Sequence, residues 1–486
     1  MERHKLAIDS LANMIWRFAE RTGAQIINFI VAIVLARVVG PDIYGTVAII
    51  TVFITILYTF VDGGFGNALI QKKDADELDF STVFYFNIVT CIVLYVFLFV
   101  AAPYIARIYG NQELTELIRV LGITLLISGI KNTQQAYVAK NMLFKKFFWS
   151  TLIGTIGAGL LGITMAYNGK GAWALVCSHL FNSVVDMIVL WFTVGWRPIK
   201  SFSLKRLKRL FSYGSRILGA NCLQTIYSNI YDLVIGKTYS SAELAYFNKG
   251  KAFPMFVVNN VDDAITSILF PVMSERQNDI CRVRILTKRA IKTNFFIMTP
   301  ILLLLAVVAE PLVKVLLTEV WLDCVPFLIV FVLIQIGRPL ATSNLEAVKA
   351  LGRSDLFLRL EVIKDLCGIS IFFITVRESV FEIALGLLIN SVICQIINSW
   401  PSKKLIQYGL AEQLSDVLPI ICLAVISGGI SYTMKYFILN DYALIIMQII
   451  CFMSVYLGLS ELTNLEAFAY TKDVVCSLFE SKIKEV

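Results

Sequence analysis

Charge and histidine are what this chain has least of. Of its 486 residues only 16% are Asp, Glu, Lys or Arg, and just two are histidine, His4 and His179. A histidine-based metal site or catalytic triad has almost nothing to be built from. The ten cysteines show no CxxC and no Cys/His ligand spacing, and Cys91, Cys177, Cys367, Cys394 and Cys451 lie in apolar runs as small buried hydrophobes do. No HExxH, GxSxG or Walker phosphate-binding motif occurs. Long polar loops are also missing, which leaves no place for a separate catalytic domain.

What is there is apolar. The chain is 57% hydrophobic with a mean hydropathy of +0.74, the composition of an integral membrane protein. The opening "MERHKLAIDS" leads into a run too long for a cleavable signal, so the first helix is expected to stay. At about 20 residues per span, fourteen helices are expected, over 10–37, 45–65, 80–106, 114–138, 148–168, 172–194, 207–236, 251–272, 293–317, 324–348, 355–375, 380–400, 414–436 and 442–462. Connecting segments alternate between basic ones, such as "RPIKSFSLKRLKR" and "SERQNDICRVRILTKRAIK", and short ones with few cations, such as "TEVWLD" and "LND". The positive-inside rule places the basic set, and both termini, in the cytoplasm. The net charge of +8 is therefore a topology signal, and nucleic acid is not expected as a partner.

The chain also repeats itself. Arg17 and Gln25 recur at an offset of 199 as Arg216 and Gln224, "VD" at Val61 and Asp62 recurs at Val261 and Asp262, and "PDIYG" is echoed by "AELAYF". Six helices between paired elements require the same orientation, hence a parallel repeat about the membrane normal. The expected fold is all-α and two-lobed, with 1–200 holding helices 1–6, 201–405 holding helices 7–12, and 406–486 adding two helices and a cytoplasmic tail.

Polar residues inside spans carry the functional reading. Arg17, Glu20, Arg21, Gln25 and Asn28 share one face of the first helix, and Arg216, Gln224, Ser228 and Asp232 repeat the pattern on the seventh. Such stripes cannot face lipid; they face protein or a water-filled cavity. Arg17, Arg21, Arg216 and Arg338 suit a phosphate or pyrophosphate, to whose oxygens guanidinium offers a planar fork of donors. The plainer alternative for Arg17, Glu20 and Arg21 is an ion-paired cluster whose arginines snorkel to the cytoplasm. Asp62, Asp186, Asp262 and Asp263 admit two readings, a coupling site for a proton or sodium ion, or local capping and pairing. "GTIGAGLLG" reads as small-residue helix packing, and "SFSLKRLKRL" as a basic amphipathic stretch on the inner membrane face that links the lobes.

The segments "ARVVGPDIYGTVAI", "ALIQKKDADELDFSTVFYFN", "LFPVMSERQ", "AEPLVKVLLTEVW" and "EAVKALGRSDLFLR" resemble the polysaccharide transporter branch of the MATE-like (MOP) exporter superfamily, the Wzx-type O-antigen and exopolysaccharide flippases. The resemblance implies a non-enzymatic MATE-like transporter of the bacterial inner membrane. Its implied cargo is an undecaprenyl-pyrophosphate-linked oligosaccharide, moved to the outer leaflet by alternating access. No cofactor is expected, a proton or sodium gradient is the drive under the coupling reading of the acids, and membrane lipids, the polysaccharide polymerase and assembly proteins are the expected partners. Arg17 and Arg21 match the family's cavity cations by their place in the first helix. A drug exporter of the same fold fits less well because the cavity charges include several cations, and a membrane glycosyltransferase or polymerase lacks its loop. Arg17→Ala and Arg21→Ala are expected to abolish transport at normal protein levels; full transport by both variants would remove these residues from the site.

Overall fold

The computed structural model describes residues 23–62 and 64–472, and the regular elements among them are helices. α1 (Gly23–Val39) is closed by Gly40 at φ +81°, a left-handed conformation that glycine adopts without strain, and Pro41 opens α2 (Pro41–Asp62) at a position that needs no amide hydrogen. α3 (Phe65–Gln71) is followed by α4 (Glu77–Tyr109), which starts from a reciprocal cap. Asp76 accepts from the Asp79 backbone N–H at 3.0 Å, and the Asp79 carboxylate accepts from the Asp76 N–H at 3.2 Å. Then come α5 (Glu113–Lys140), α6 (Phe144–Tyr167), α7 (Ala172–Thr193), α8 (Leu204–Thr238) and α9 (Ser241–Glu275). The remainder is α10 (Ile280–Val307), α11 (Ala309–Leu316), α12 (Val325–Ile336), α13 (Arg338–Ala350), α14 (Ser354–Thr375), α15 (Val380–Ile406), α16 (Leu410–Tyr432) and α17 (Asp441–Leu462).

Two compact units result, the first ending at Ala245 and the second beginning at Tyr246. In the first, Leu35, Ile50, Leu98, Leu117, Leu125 and Val176 form one core, and Phe80, Phe84, Trp196, Leu207 and Leu210 form another. In the second, Met273, Ile291, Phe295, Tyr408, Phe452 and Tyr456 are the centre. The glycines of "GTIGAGLLG" pack as expected. At Gly154, Gly157 and Gly162 a Cβ would fall 3.0 Å or nearer to Asn182, Phe181 and Ser178 of α7. Outward residues are apolar over long stretches, as at Val93, Phe97, Val100 and Tyr104 of α4, a surface that lipid chains cover.

Ten segments among the described residues are long and apolar enough to cross a membrane: 41–71, 77–109, 145–167, 172–193, 241–275, 280–307, 319–350, 380–406, 410–436 and 441–462. α5, α8 and α14 are as long but more polar.

Two basic stretches that hydropathy places in loops are helical. α10 begins at Ile280, capped by Asp279, which accepts from the Arg282 N–H at 2.9 Å. Arg284, Lys288 and Lys292, spaced by four, then line one face and meet acids of α16 and beyond. Arg284 lies 2.9 Å from Glu412, Lys288 2.9 Å from Asp416, and Lys292 3.3 Å from Asp416 and 2.7 Å from Glu466. Opposite charge supports one face of this end of the helix, and burial of Val283 and Ile291 supports another. The chain breaks at Val308, so the expected span 293–317 is two helices. Within "SFSLKRLKRL" residues from Leu204 onward are the first turns of α8, held by buried Leu207 and Leu210 and by ion pairs of Arg206 with Asp76 and the fully buried Asp79. The hydrogen bond from Arg206 brings the Asp76 carboxyl down to about 2.

Gly45 of the "GPDIYG" segment meets the start of α9 backbone to backbone, and a Cβ there would overlap the Ser241 carbonyl. Gly45→Ala should therefore lower stability by about 1–3 kcal/mol, read as an earlier thermal unfolding midpoint in detergent. An unchanged midpoint would contradict the close approach.

Candidate functional site

The sequence stripes lead first to α8. At about 100° per residue, Asn221, Gln224, Thr225, Ser228, Asn229 and Asp232 fall in one arc of its surface. Gln224 and Ser228 are both exposed. The Gln224 side-chain amide donates to the Ser228 hydroxyl at 3.4 Å, and that hydroxyl donates to the Gln224 backbone carbonyl at 2.8 Å. The arc is joined to α2, whose Thr59 hydroxyl donates to Thr225 Oγ1 at 3.1 Å. Of the first helix stripe, Asn28 is exposed, while Gln25 is half-buried with its Oε1 lacking a hydrogen-bond partner among the described residues. Arg17, Glu20 and Arg21 lie outside the described residues, as do the side chains of Arg216, Asp62 and Asp263.

Two candidates of opposite charge come together in the second unit. Gly337 separates α12 from α13, Pro339 follows at a position that needs no amide hydrogen, and Arg338 stands at the start of the new helix. Its Nε lies 3.2 Å from Asp262 Oδ2 of α9, and Thr342, one turn further along α13, donates to the same oxygen at 3.0 Å. Asp262 Oδ1 is buried without a hydrogen-bond partner among the described residues. Arg338 is about half exposed, at 52%, and among the described residues only its Nε is engaged. Both terminal nitrogens remain for a further acceptor. The arrangement is a guanidinium fixed and neutralised by a carboxylate while its outer edge stays open.

Asp186 takes a different partner. On α7 it accepts a 2.8 Å hydrogen bond from Lys131 of α5, with each side chain 14% exposed. Beside it on α5, Asn132 accepts from Tyr58 of α2 at 3.1 Å. Among the described residues no three His, Cys, Asp or Glu side chains gather as metal ligands.

With this geometry in view, the comparisons with known proteins decide the family. The family model described as "Polysaccharide biosynthesis protein" matches residues 34–326, more than half of the chain. The chain belongs to the polysaccharide biosynthesis protein family. Relatives of this polysaccharide biosynthesis protein include teichuronic acid biosynthesis protein TuaB of Bacillus subtilis (strain 168), 28% identical over 399 residues, which cover 80% of this chain and 81% of TuaB. Lipopolysaccharide biosynthesis protein WzxC of Escherichia coli (strain K12) is 24% identical, covering 75% and 74%. Among solved structures, the lipid II flippase MurJ in an inward closed conformation superposes with a TM-score of 0.76 at 14% identity, over 95% of this chain and all of that one. An inward-facing multidrug resistance MATE transporter of the MOP superfamily gives 0.61 at 15%, over 79% and 94%. These likenesses establish the fold, and the family is the one that the sequence segments resemble.

Lys131 and Thr342 are absent from the residues singled out in the sequence. Lys131 sits in "ISGIKNTQQ", just after the apolar run of α5, where a lysine well inside a long helix is itself the signal that an acid waits on another helix. Asn344 of α13 is structural. It donates to Gln413 at 2.9 Å and accepts from Ser402 at 2.6 Å and Gln413 at 3.0 Å, all in the interior of the second unit. For the Lys131–Asp186 pair, removing one member strands a charge in the membrane, so Asp186→Ala alone is expected to cost about 3–5 kcal/mol. The double replacement Lys131→Met with Asp186→Leu recovers most of it. Thermal unfolding in detergent measures this, and simple additivity of the single losses would show that the pair does not act as a unit.

Proposed function

We propose that this polysaccharide biosynthesis protein is a flippase that carries undecaprenyl-pyrophosphate-linked oligosaccharides from the cytoplasmic to the outer leaflet of the bacterial inner membrane. The observation that carries the reading is the pairing of family with fold: a member of a polysaccharide biosynthesis family folds, over nearly its whole length, like the lipid II flippase MurJ. The names of TuaB and WzxC support it, one a teichuronic acid biosynthesis protein and the other a lipopolysaccharide biosynthesis protein.

In this reading α1, α5, α8 and α14 join the ten apolar spans to make fourteen, in two six-helix lobes with two helices appended and both termini in the cytoplasm. Arg17, Arg21, Arg216 and Arg338 receive the pyrophosphate. Arg338 is suited to it because Asp262 holds the guanidinium by Nε and leaves the outer nitrogens to an anionic oxygen. The ion pairs of Asp186 and Asp262 favour the local role for these two acids, which leaves Asp62 and Asp263 as the carboxylates for a coupling proton or sodium ion. The polymerase and assembly proteins would take over the delivered repeat unit.

Deleting the gene and analysing extracted lipid-linked glycans by mass spectrometry tests the reading. Complete lipid-pyrophosphate oligosaccharide should accumulate on the cytoplasmic side while surface polymer is lost. An unchanged pool with intact polymer would instead favour a small-molecule exporter of this fold. In complemented cells Arg338→Ala should slow delivery about ten- to a hundredfold, the worth of a charge-assisted hydrogen bond, and Arg338→Lys should retain part of it.

A further inference from the structure

The polar arc of α8 carries a charge pattern unlike that of the cationic residues. Asn221, Gln224 and Ser228 are exposed on it, and the span from Asn221 to Ser228 is about 10 Å along the helix. On the opposite side Leu223 is 73% exposed and Ile226 41%, an apolar surface suited to lipid chains. Amides would be as costly there as Leu223 is cheap, so the arc must meet water or a polar ligand. From α2, Thr55 adds an exposed hydroxyl one turn before Thr59, the residue bonded to Thr225.

The exposed groups of the arc are neutral and each can both donate and accept, while its one carboxylate, Asp232, lies half-buried a turn beyond Ser228. Among the described residues the Asn221 amide has no hydrogen-bond partner, and Gln224 spends its nitrogen on Ser228 and keeps its oxygen open. An anionic headgroup gains little from amide and hydroxyl groups that have no cation beside them among the described side chains, and an organic cation would call for exposed carboxylates, whereas Asp232 is half-buried. A neutral polyol, with alternating donors and acceptors, is the complement. We infer that the arc of α8, with Thr55 and Thr59 of α2 beside it, holds the sugar part of the cargo, apart from the arginines that receive the pyrophosphate. This assignment rests on the flippase reading and divides the cargo between two surfaces of different chemistry.

The test uses full-length protein in liposomes and two probes: the lipid-pyrophosphate oligosaccharide isolated from the deletion strain, and the same lipid trimmed to its first sugar. With Asn221→Ala/Gln224→Ala, the half-saturating concentration for the complete oligosaccharide should rise about tenfold more than that for the trimmed lipid, as two lost hydrogen bonds imply. The pair Asn221→Ser/Gln224→Ser, which keeps hydroxyls in place, should recover part of the difference and shows that the effect is not misfolding. Equal changes for both probes, or none for either, would overturn the sugar assignment while leaving the flippase intact. Wild-type protein that moves neither probe would overturn the flippase reading itself.

Discussion

A lipid chain can neither donate nor accept a hydrogen bond, so a polar side chain at membrane depth needs a protein partner or water. That constraint sorts the polar residues of this chain into two populations. Lys131 with Asp186, and Asn344 with Gln413, Ser399 and Ser402, are closed sets whose members satisfy one another. Asn221, Gln224 and the outer edge of Arg338 are open, with hydrogen-bonding capacity that the described residues leave unused. Closed sets fix how helices pack, and open ones are where a ligand has something to gain.

The two populations also differ in how they tolerate change. A closed set concentrates the full desolvation cost on whichever partner survives a substitution, which makes it brittle. The open groups sit on exposed surface and can be exchanged with little effect on packing. A transporter with this division can alter its cargo preference on the open surface without disturbing the helices that carry it.

Much of this was legible in the sequence, for reasons that differ by residue. Long apolar runs announce helices, and the glycines of "GTIGAGLLG" announce a close seam, because hydrophobic composition and small side chains act locally. Helix ends were less legible. The start of α10 depends on Arg284, Lys288 and Lys292 finding Glu412, Asp416 and Glu466, acids that lie more than a hundred residues away in the chain. The start of α8 depends in the same way on Asp76 and Asp79. Spacing marked Arg338 and Asp262 as polar residues in spans, but their partnership joins two helices 76 residues apart in the chain and is not encoded in either segment alone.

The anchored start of α8 has a mechanical consequence. Arg206 and the buried Leu207 and Leu210 tie the first turns to Asp76, Asp79 and the aromatic cluster around Trp196, whereas Gln224 lies eighteen residues further along the same helix. That separation is about 27 Å. A rigid tilt of about 10° around the anchored end would carry Gln224 through roughly 5 Å, more than the length of a hydrogen bond. The helix is fixed at its start by a salt bridge and at its middle by the Thr59–Thr225 hydrogen bond, so a tilt of that size would break the second contact and exchange hydrogen-bond partners beside Gln224.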